Sequence, residues 1–390
     1  MLQTKETLPL AVVKVGGSLL QGERELRRAA AALAERRREG GPLLVVASAL
    51  QGVTDLLDLA ARQRGRPEEL RGTLDPLRRR HLALANGSAE RVGEVLDELE
   101  ALALSLPPGE VPDTTYARLL SFGERLSVIL LADALRAAGQ DARAVASEDV
   151  VLRAEGPPRT GSCDIAGSAE GLERMRQELR ERILVLTGFY GMDRDDGVVL
   201  FGRGGSDNTA CAVAAGLGAD RLELWKDVPG FMSADPREVR GARVIDRISF
   251  DEVAQMGAWG SKIVNHGSLD PLRGRSTRIV ISSIPEAGST SGTLLVEKLQ
   301  RGDTRVVALA SRRNTGGDGG DGSPALLGAV GEGVAFDEEI RARMLTCLSG
   351  AGVRCDLMAR PSGRSGLSCL VHPEDLAAAL SGLHDHFFEP

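Results

Sequence analysis

The stretch Ala11-Val-Val-Lys-Val-Gly-Gly-Ser18 decides the fold class. A short strand, apolar except for Lys14, runs directly into two glycines. From Arg24 to Arg38 the apolar residues Leu26, Ala30 and Leu33 then recur at helical spacing, and Leu43 to Ala47 is a second strand of buried type. Parallel strands need a crossover, usually a helix, so this order opens an α/β sandwich with a largely parallel sheet. The glycines also let backbone amides approach phosphate oxygens, while the following helix directs its positive end at them. Lys14 can neutralise charge there; a plain tight turn is the alternative for so short a motif.

Further along, Leu56 to Leu106 is predicted as two helices broken near Asn86-Gly87, an insertion that caps a substrate pocket or serves only as a hairpin. Tyr116 to Ala138 reads as one long helix carrying Phe122-Gly-Glu-Arg125, and Ile183 to Thr187 as a strand. Gly202-Arg-Gly-Gly-Ser-Asp207 stands directly before an alanine-rich helix ending at Leu217. Three glycines, an arginine, a serine and a carboxylate at a helix start form an anion-recognising turn. Arg203 suits bidentate capture of a carboxylate, and Asp207 suits orientation of Lys14 or of a magnesium-bound phosphate. Helix capping is the structural alternative for Ser206 and Asp207. Leu222 to Trp225 reads as a strand, Phe250 to Gly257 as a helix entering Gly260-Ser-Lys262, and Arg278 to Ser282 as a strand. The stretch Gly288 to Gly292 closes the unit near residue 300.

Gly316 to Gly322 reads as a linker. A strand (Leu326 to Gly331), a helix (Asp337 to Leu348), two strands (Arg354 to Met358, Leu367 to Val371) and a helix (Glu374 to His384) follow. That order lacks the last strand of a ferredoxin-like βαββαβ unit, which Arg305 to Ala310 could supply. The expected divisions are 1–300, a linker with a remnant strand over 301–324, and a small domain over 325–390.

A net charge of −7 and a pI near 5.5 argue against broad nucleic-acid binding. Arg36-Arg-Arg38 and Arg78-Arg-Arg80 lie in helical patterns and read as solvated faces, with a substrate or partner contact as the alternative. Five cysteines without a CxxC pair fit a reducing compartment better than disulfides or zinc. Met1 to Leu10 lacks signal-peptide character and no apolar run is long enough to span a bilayer, so the cytoplasm is expected.

Taken together, Lys14-Val-Gly-Gly-Ser18, Val46 to Asp55, Ser121-Phe-Gly-Glu124, Thr187 to Gly191, Gly202 to Ala210, Trp225-Lys-Asp-Val-Pro-Gly230, Ala234-Asp-Pro-Arg237 and Trp259-Gly-Ser-Lys262 resemble the aspartokinases in order and spacing. The tail, with Gly331-Glu-Gly333 and Ile340 to Met344, resembles the second of that family's two ACT domains. The resemblance implies an amino acid kinase fold, a single remaining ACT domain, and transfer of a phosphoryl group from ATP, with Mg2+, to the side-chain carboxylate of L-aspartate. That is the first step towards lysine, threonine and methionine. It further implies that Lys14, Gly16, Gly17, Ser18 and Lys262 serve the ATP phosphates and that Asp207 organises the catalytic lysine. Thr54, Glu124, Arg203 and Ser206 would hold aspartate, with Arg203 on a carboxylate and Glu124 towards the amino group. Lys226, Asp227, Phe231 and Arg237 would surround adenosine and its phosphates, and the ACT domain would pair two copies. No protein-held metal site is implied, and feedback by lysine or threonine is expected to be weak or absent. Leu19, Gln51 and Asn265 differ from the family pattern. The alternatives are a related kinase acting on another small carboxylate, phosphate or phosphonate, and a non-catalytic amino-acid sensor.

Overall fold

The computed structural model describes residues 8–106, 109–285, 292–298, 305–313, 323–357 and 364–389. They form two compact units, one holding residues up to Asp227 plus the stretch from Gly267, the other Val228–His266 plus the C-terminal part.

In the first unit six strands run parallel in the order Arg278–Ser282, Arg221–Trp225, Ala11–Val15, Leu43–Ala47, Ile183–Thr187 and Ala142–Val145. Central parallel strands are covered on both faces, which is why Leu43–Ala47 and Ile183–Thr187 are apolar throughout and buried at every position. Register aligns their C-terminal ends: Val15 lies opposite both Ala47 and Trp225, and Ala47 opposite Thr187. Alternation then sorts the faces. Val13, Val15, Val45 and Ala47 share a core with Leu26, Ala30 and Leu33 and with the long helix Asp113–Ala137. Val12 and Lys14 therefore point to the other face, on which the helix Gly205–Leu217 packs. The layering is helix, sheet, helix, as expected.

The insertion holds three helices, Val53–Arg62, Pro67–Leu84 and Ala89–Ser105, one more than the sequence reading gave. The additional break falls at Gly65, whose φ of +73° a helix interior cannot accommodate. Arg80, expected on a solvated face, donates to the carbonyl oxygens of Gln51 (2.8 Å) and Gln21 (2.9 Å).

The second unit contains an antiparallel sheet ordered Ala308–Arg312, Ala325–Val330, Gly366–Val371, Cys355–Leu357, with helices Glu338–Gly350 and Leu376–Phe388. The strand missing from the ferredoxin-like order is supplied from the N-terminal side by Ala308–Arg312, paired to Ala325–Val330. The division near residue 300 is not where the contacts fall, because residues 228–266 belong with this sheet. Leu309 N–H donates to Ser233 O, and Trp259 fills the space left by two glycines, a Cβ on Gly328 or Gly366 standing 2.3 or 2.4 Å from its ring. Residues 1–7, 288–291, 316–322 and Met358, which enter the sequence reading as chain start, loop, linker and strand end, lie outside the described residues.

Candidate active site

Lys14 stands one residue before the end of its strand, in register with Leu224. Lys226 follows Leu224 by two and so projects from the same face, one pleat nearer the sheet edge. On that face the helix Gly205–Leu217 begins, with Gly204 at φ 76° just ahead of it and Asp207 in its first turn. The three side chains meet there. Lys14 Nζ lies 3.0 Å from Asp207 Oδ1, and Lys226 Nζ lies 2.6 Å from Asp207 Oδ2. Lys14 and Asp207 are buried, and the Lys226 side chain is only 15% exposed. Burial alone would raise the Asp207 carboxyl, but the two ammonium groups outweigh it and hold it below the usual carboxylate range. Burial, reinforced by the charge on Lys14, pulls the Lys226 ammonium below its ordinary value.

The phosphate-type loop is fixed by close backbone approach. Gly16 N–H donates to Trp225 O (3.3 Å), and a Cβ on Gly17 would stand 2.6 Å from Ala49 O. Ala49 is also held from the far side. A Cβ on Gly123 would lie 2.8 Å from Ala49 Cβ, so this glycine lets the long helix close in, and Glu124 Oε1 accepts the Ala49 N–H at 3.1 Å. Glu124 Oε2 is buried with no hydrogen-bond partner among the described residues. Burial pushes this carboxyl up to about 8, offset in part by the amides of Ala49 and Glu124 and by the charge on Lys14. Beside it, Gly188 abuts Ser206, where a Cβ would come within 2.7 Å, and Phe189 takes φ 76° with its N–H on Thr209 Oγ1.

Lys14, Gly16, Gly17, Asp207 and Lys226 thus come together at one sheet edge, joined to Glu124 through the Ala49 peptide. Ser18 lies in the turn Gly17–Leu19, and Ser206 is buried in the helix start next to Gly188. Thr54 is half-buried at the start of Val53–Arg62, and Arg203 and Asp227 are exposed. Lys226, expected around adenosine and its phosphates, is tied to Asp207. Lys262, Phe231 and Arg237 belong to the second unit. There Lys262 is exposed, Phe231 is 1% exposed with its N–H on Thr293 Oγ1, and Arg237 forks onto Asp235. Sequence reasoning missed the Ala49 peptide and the close approaches of Gly123 and Gly188. Their signal was present in Phe122-Gly-Glu124 and Thr187-Gly-Phe189, but which backbone each glycine would meet depends on the tertiary fold.

A fold with nucleotide-type glycines and paired lysines at the carboxyl edge of a parallel sheet has the architecture of a small-molecule phosphotransferase. The amino acid kinase family profile matches residues 9–283, and the chain belongs to that family. It is 33% identical over 282 residues to lysine-sensitive aspartokinase 3 of Escherichia coli, covering 70% of this chain and 61% of that one. The aspartokinase of Corynebacterium efficiens is 32% identical over 297 residues, or 75% of this chain and 58% of that protein. The chain thus spans about three-fifths of these relatives' length. Its fold matches that of E. coli aspartokinase III solved with lysine and aspartate, at a TM-score of 0.82 and 24% identity, with 97% of this chain and 100% of that one covered. The same enzyme solved with aspartate and ADP gives a TM-score of 0.81 at 24% identity and the same coverage.

Proposed function

We propose that the chain transfers the γ-phosphoryl group of ATP to the side-chain carboxylate of L-aspartate, yielding 4-phospho-L-aspartate and ADP. The observation that carries this reading is the pairing, at one sheet edge, of the buried Lys14–Asp207–Lys226 cluster with a buried Glu124 that has one oxygen unengaged. Two ammonium groups against one carboxylate leave a single positive charge, suited to a polyphosphate. The Gly17 approach to Ala49 O and the start of the helix Gly205–Leu217 complete an anion cradle. The E. coli and Corynebacterium relatives named aspartokinase point to the same acceptor.

The acceptor carboxylate, with an ordinary pKa of about 3.9, is ionised at neutral pH, so no general base is required. Positioning and charge stabilisation do the work. Asp207 holds Lys14 in place, Lys14 meets the phosphoryl oxygens, and Glu124 takes the acceptor's ammonium group on its unengaged oxygen. Arg203 is assigned to an acceptor carboxylate, with Ser206 and Thr54 in the same role. Mg2+ is assigned to the nucleotide phosphates, where it would neutralise charge. A homodimer through the edge of the ferredoxin-like sheet belongs to the same reading, as does a cytoplasmic location; no helix among the described residues is long and apolar enough to cross a membrane. The test is ADP formation dependent on L-aspartate, measured against other small carboxylates, phosphates and phosphonates. Turnover with one of those and not with aspartate would overturn the acceptor assignment.

A further inference from the structure

Lys226 is expected near the nucleotide, and its ion pair with Asp207 places it beside Lys14. We propose that Lys226 is a second catalytic cation, contacting the transferred phosphoryl group together with Lys14, with Asp207 as the shared holder that fixes the spacing of the two ammonium groups. The proposal rests on the phosphotransferase reading and deepens it.

Three observations carry it. The register sets Lys14 opposite Leu224, and Lys226, one residue past the end of that neighbouring strand, meets the same Asp207 at the sheet edge where the anion cradle lies. Each ammonium engages a different oxygen of the same carboxylate. An ammonium has three N–H donors, so each lysine keeps donors for another acceptor. Finally, the cluster is over-neutralised. Lys14 alone would balance Asp207, yet a second, largely buried cation is added beside the positive end of a helix. An unbalanced buried charge is costly unless an anion completes it. A pair built only for stability would have stopped at one lysine.

The other groups around the cluster do not cancel the excess. Cys211, one turn further along the Asp207 helix, has its thiol pushed up by burial and is neutral. Asp227 is exposed, and burial pushes the Glu124 carboxyl up to about 8, so that it is mostly uncharged at neutral pH before an acceptor binds. In the transfer, an acceptor carboxylate oxygen forms the new bond to the γ-phosphorus while the bond to the β,γ-bridging oxygen breaks. The electron pair leaves with ADP and no proton moves. Negative charge grows on the bridging oxygen, where a second ammonium stabilises the transition state more than the ground state.

The experiment compares the full-length wild type with Lys226→Met and Lys226→Ala. Lys226→Met is expected to lower kcat by ~10²-fold, with the acceptor KM changed less than about threefold. Its unfolding midpoint in urea should be no lower than wild type, because the excess buried charge is removed. Methylammonium should restore part of the rate in Lys226→Ala. A Lys226→Met kcat within about threefold of wild type overturns the proposal, as does a rate loss tracked by instability without amine rescue. A wild type inactive with every acceptor would count against the reaction instead. Pyrophosphate titration then decides: weakening by roughly tenfold in Lys226→Met supports the cation role, and unchanged binding overturns it.

Discussion

Two buried glutamates, one in each unit, show how differently the two regions use charge. In the second unit Glu252 is fully buried, and both its oxygens are engaged: Oε2 accepts the Ser249 N–H (2.7 Å) and Oε1 the Glu332 N–H (2.9 Å). With Ser249 it closes a capping box on the helix Phe250–Ala258 and ties that helix to the loop after Ala325–Val330. In the first unit Glu124 has one amide partner and one bare buried oxygen. A saturated carboxylate is a joint, whereas one kept partly unsatisfied within reach of the charge on Lys14 suits the binding role proposed for Glu124. The same difference marks the surroundings, since the ferredoxin-like core is lined mainly by aliphatic side chains and the sheet edge of the first unit gathers Lys14, Glu124, Asp207 and Lys226.

The largest effect expected from this contrast is on the pH dependence of stability. Glu124 titrates near 8 when folded, above its ordinary 4.5, so its favourable contribution is complete below about pH 4.5 and is lost as pH rises to about 8. Glu124→Gln removes this dependence. Its stability relative to wild type should grow by on the order of 4 kcal/mol between those limits in urea titrations, and a constant difference would show that Glu124 is not the strained group. Next, Lys14→Ala should lower kcat by ~10²-fold or more while the fold persists; a fully active variant would remove Lys14 from the site. Glu252→Ala should act the opposite way, costing about 2 kcal/mol in stability, because it strips a cap and leaves two amides unpaired. A larger loss of kcat than of stability would erase the distinction between the two glutamates. Gly328→Ala, which drives a Cβ into Trp259, should cost about 1–2 kcal/mol, and thermal unfolding of the purified variant reads it directly. The smallest effect concerns regulation: lysine or threonine in the micromolar range is expected to leave turnover unchanged, and a clear inhibition curve would show that one ferredoxin-like domain suffices for feedback.

The sheet was legible because its signals are local. Apolar strands such as Leu43–Ala47 and the glycines after Lys14 declare themselves within a few residues. The candidate site was legible as far as Lys14, Asp207 and Glu124, which sit in dense motifs and which the fold brings to one sheet edge. What the sequence withheld depends on packing between distant segments. The meeting of Lys14 with the Asp207–Lys226 pair follows from the register of two strands separated by some 200 residues of chain, and the Ala49 peptide becomes a junction only where Gly17 and Gly123 both close on it. The grouping of residues 228–266 with the C-terminal sheet likewise rests on Trp259 and Glu252, whose partners lie some 70 to 110 residues away.

The most direct measurement is hydroxylamine trapping of the product formed with ATP, Mg2+ and a panel of small carboxylate acceptors. Formation of the hydroxamate with L-aspartate, abolished in Lys14→Ala, is the expected result. Hydroxamate from a different acceptor alone, or none from any acceptor, would contradict the assignment of aspartate to this site.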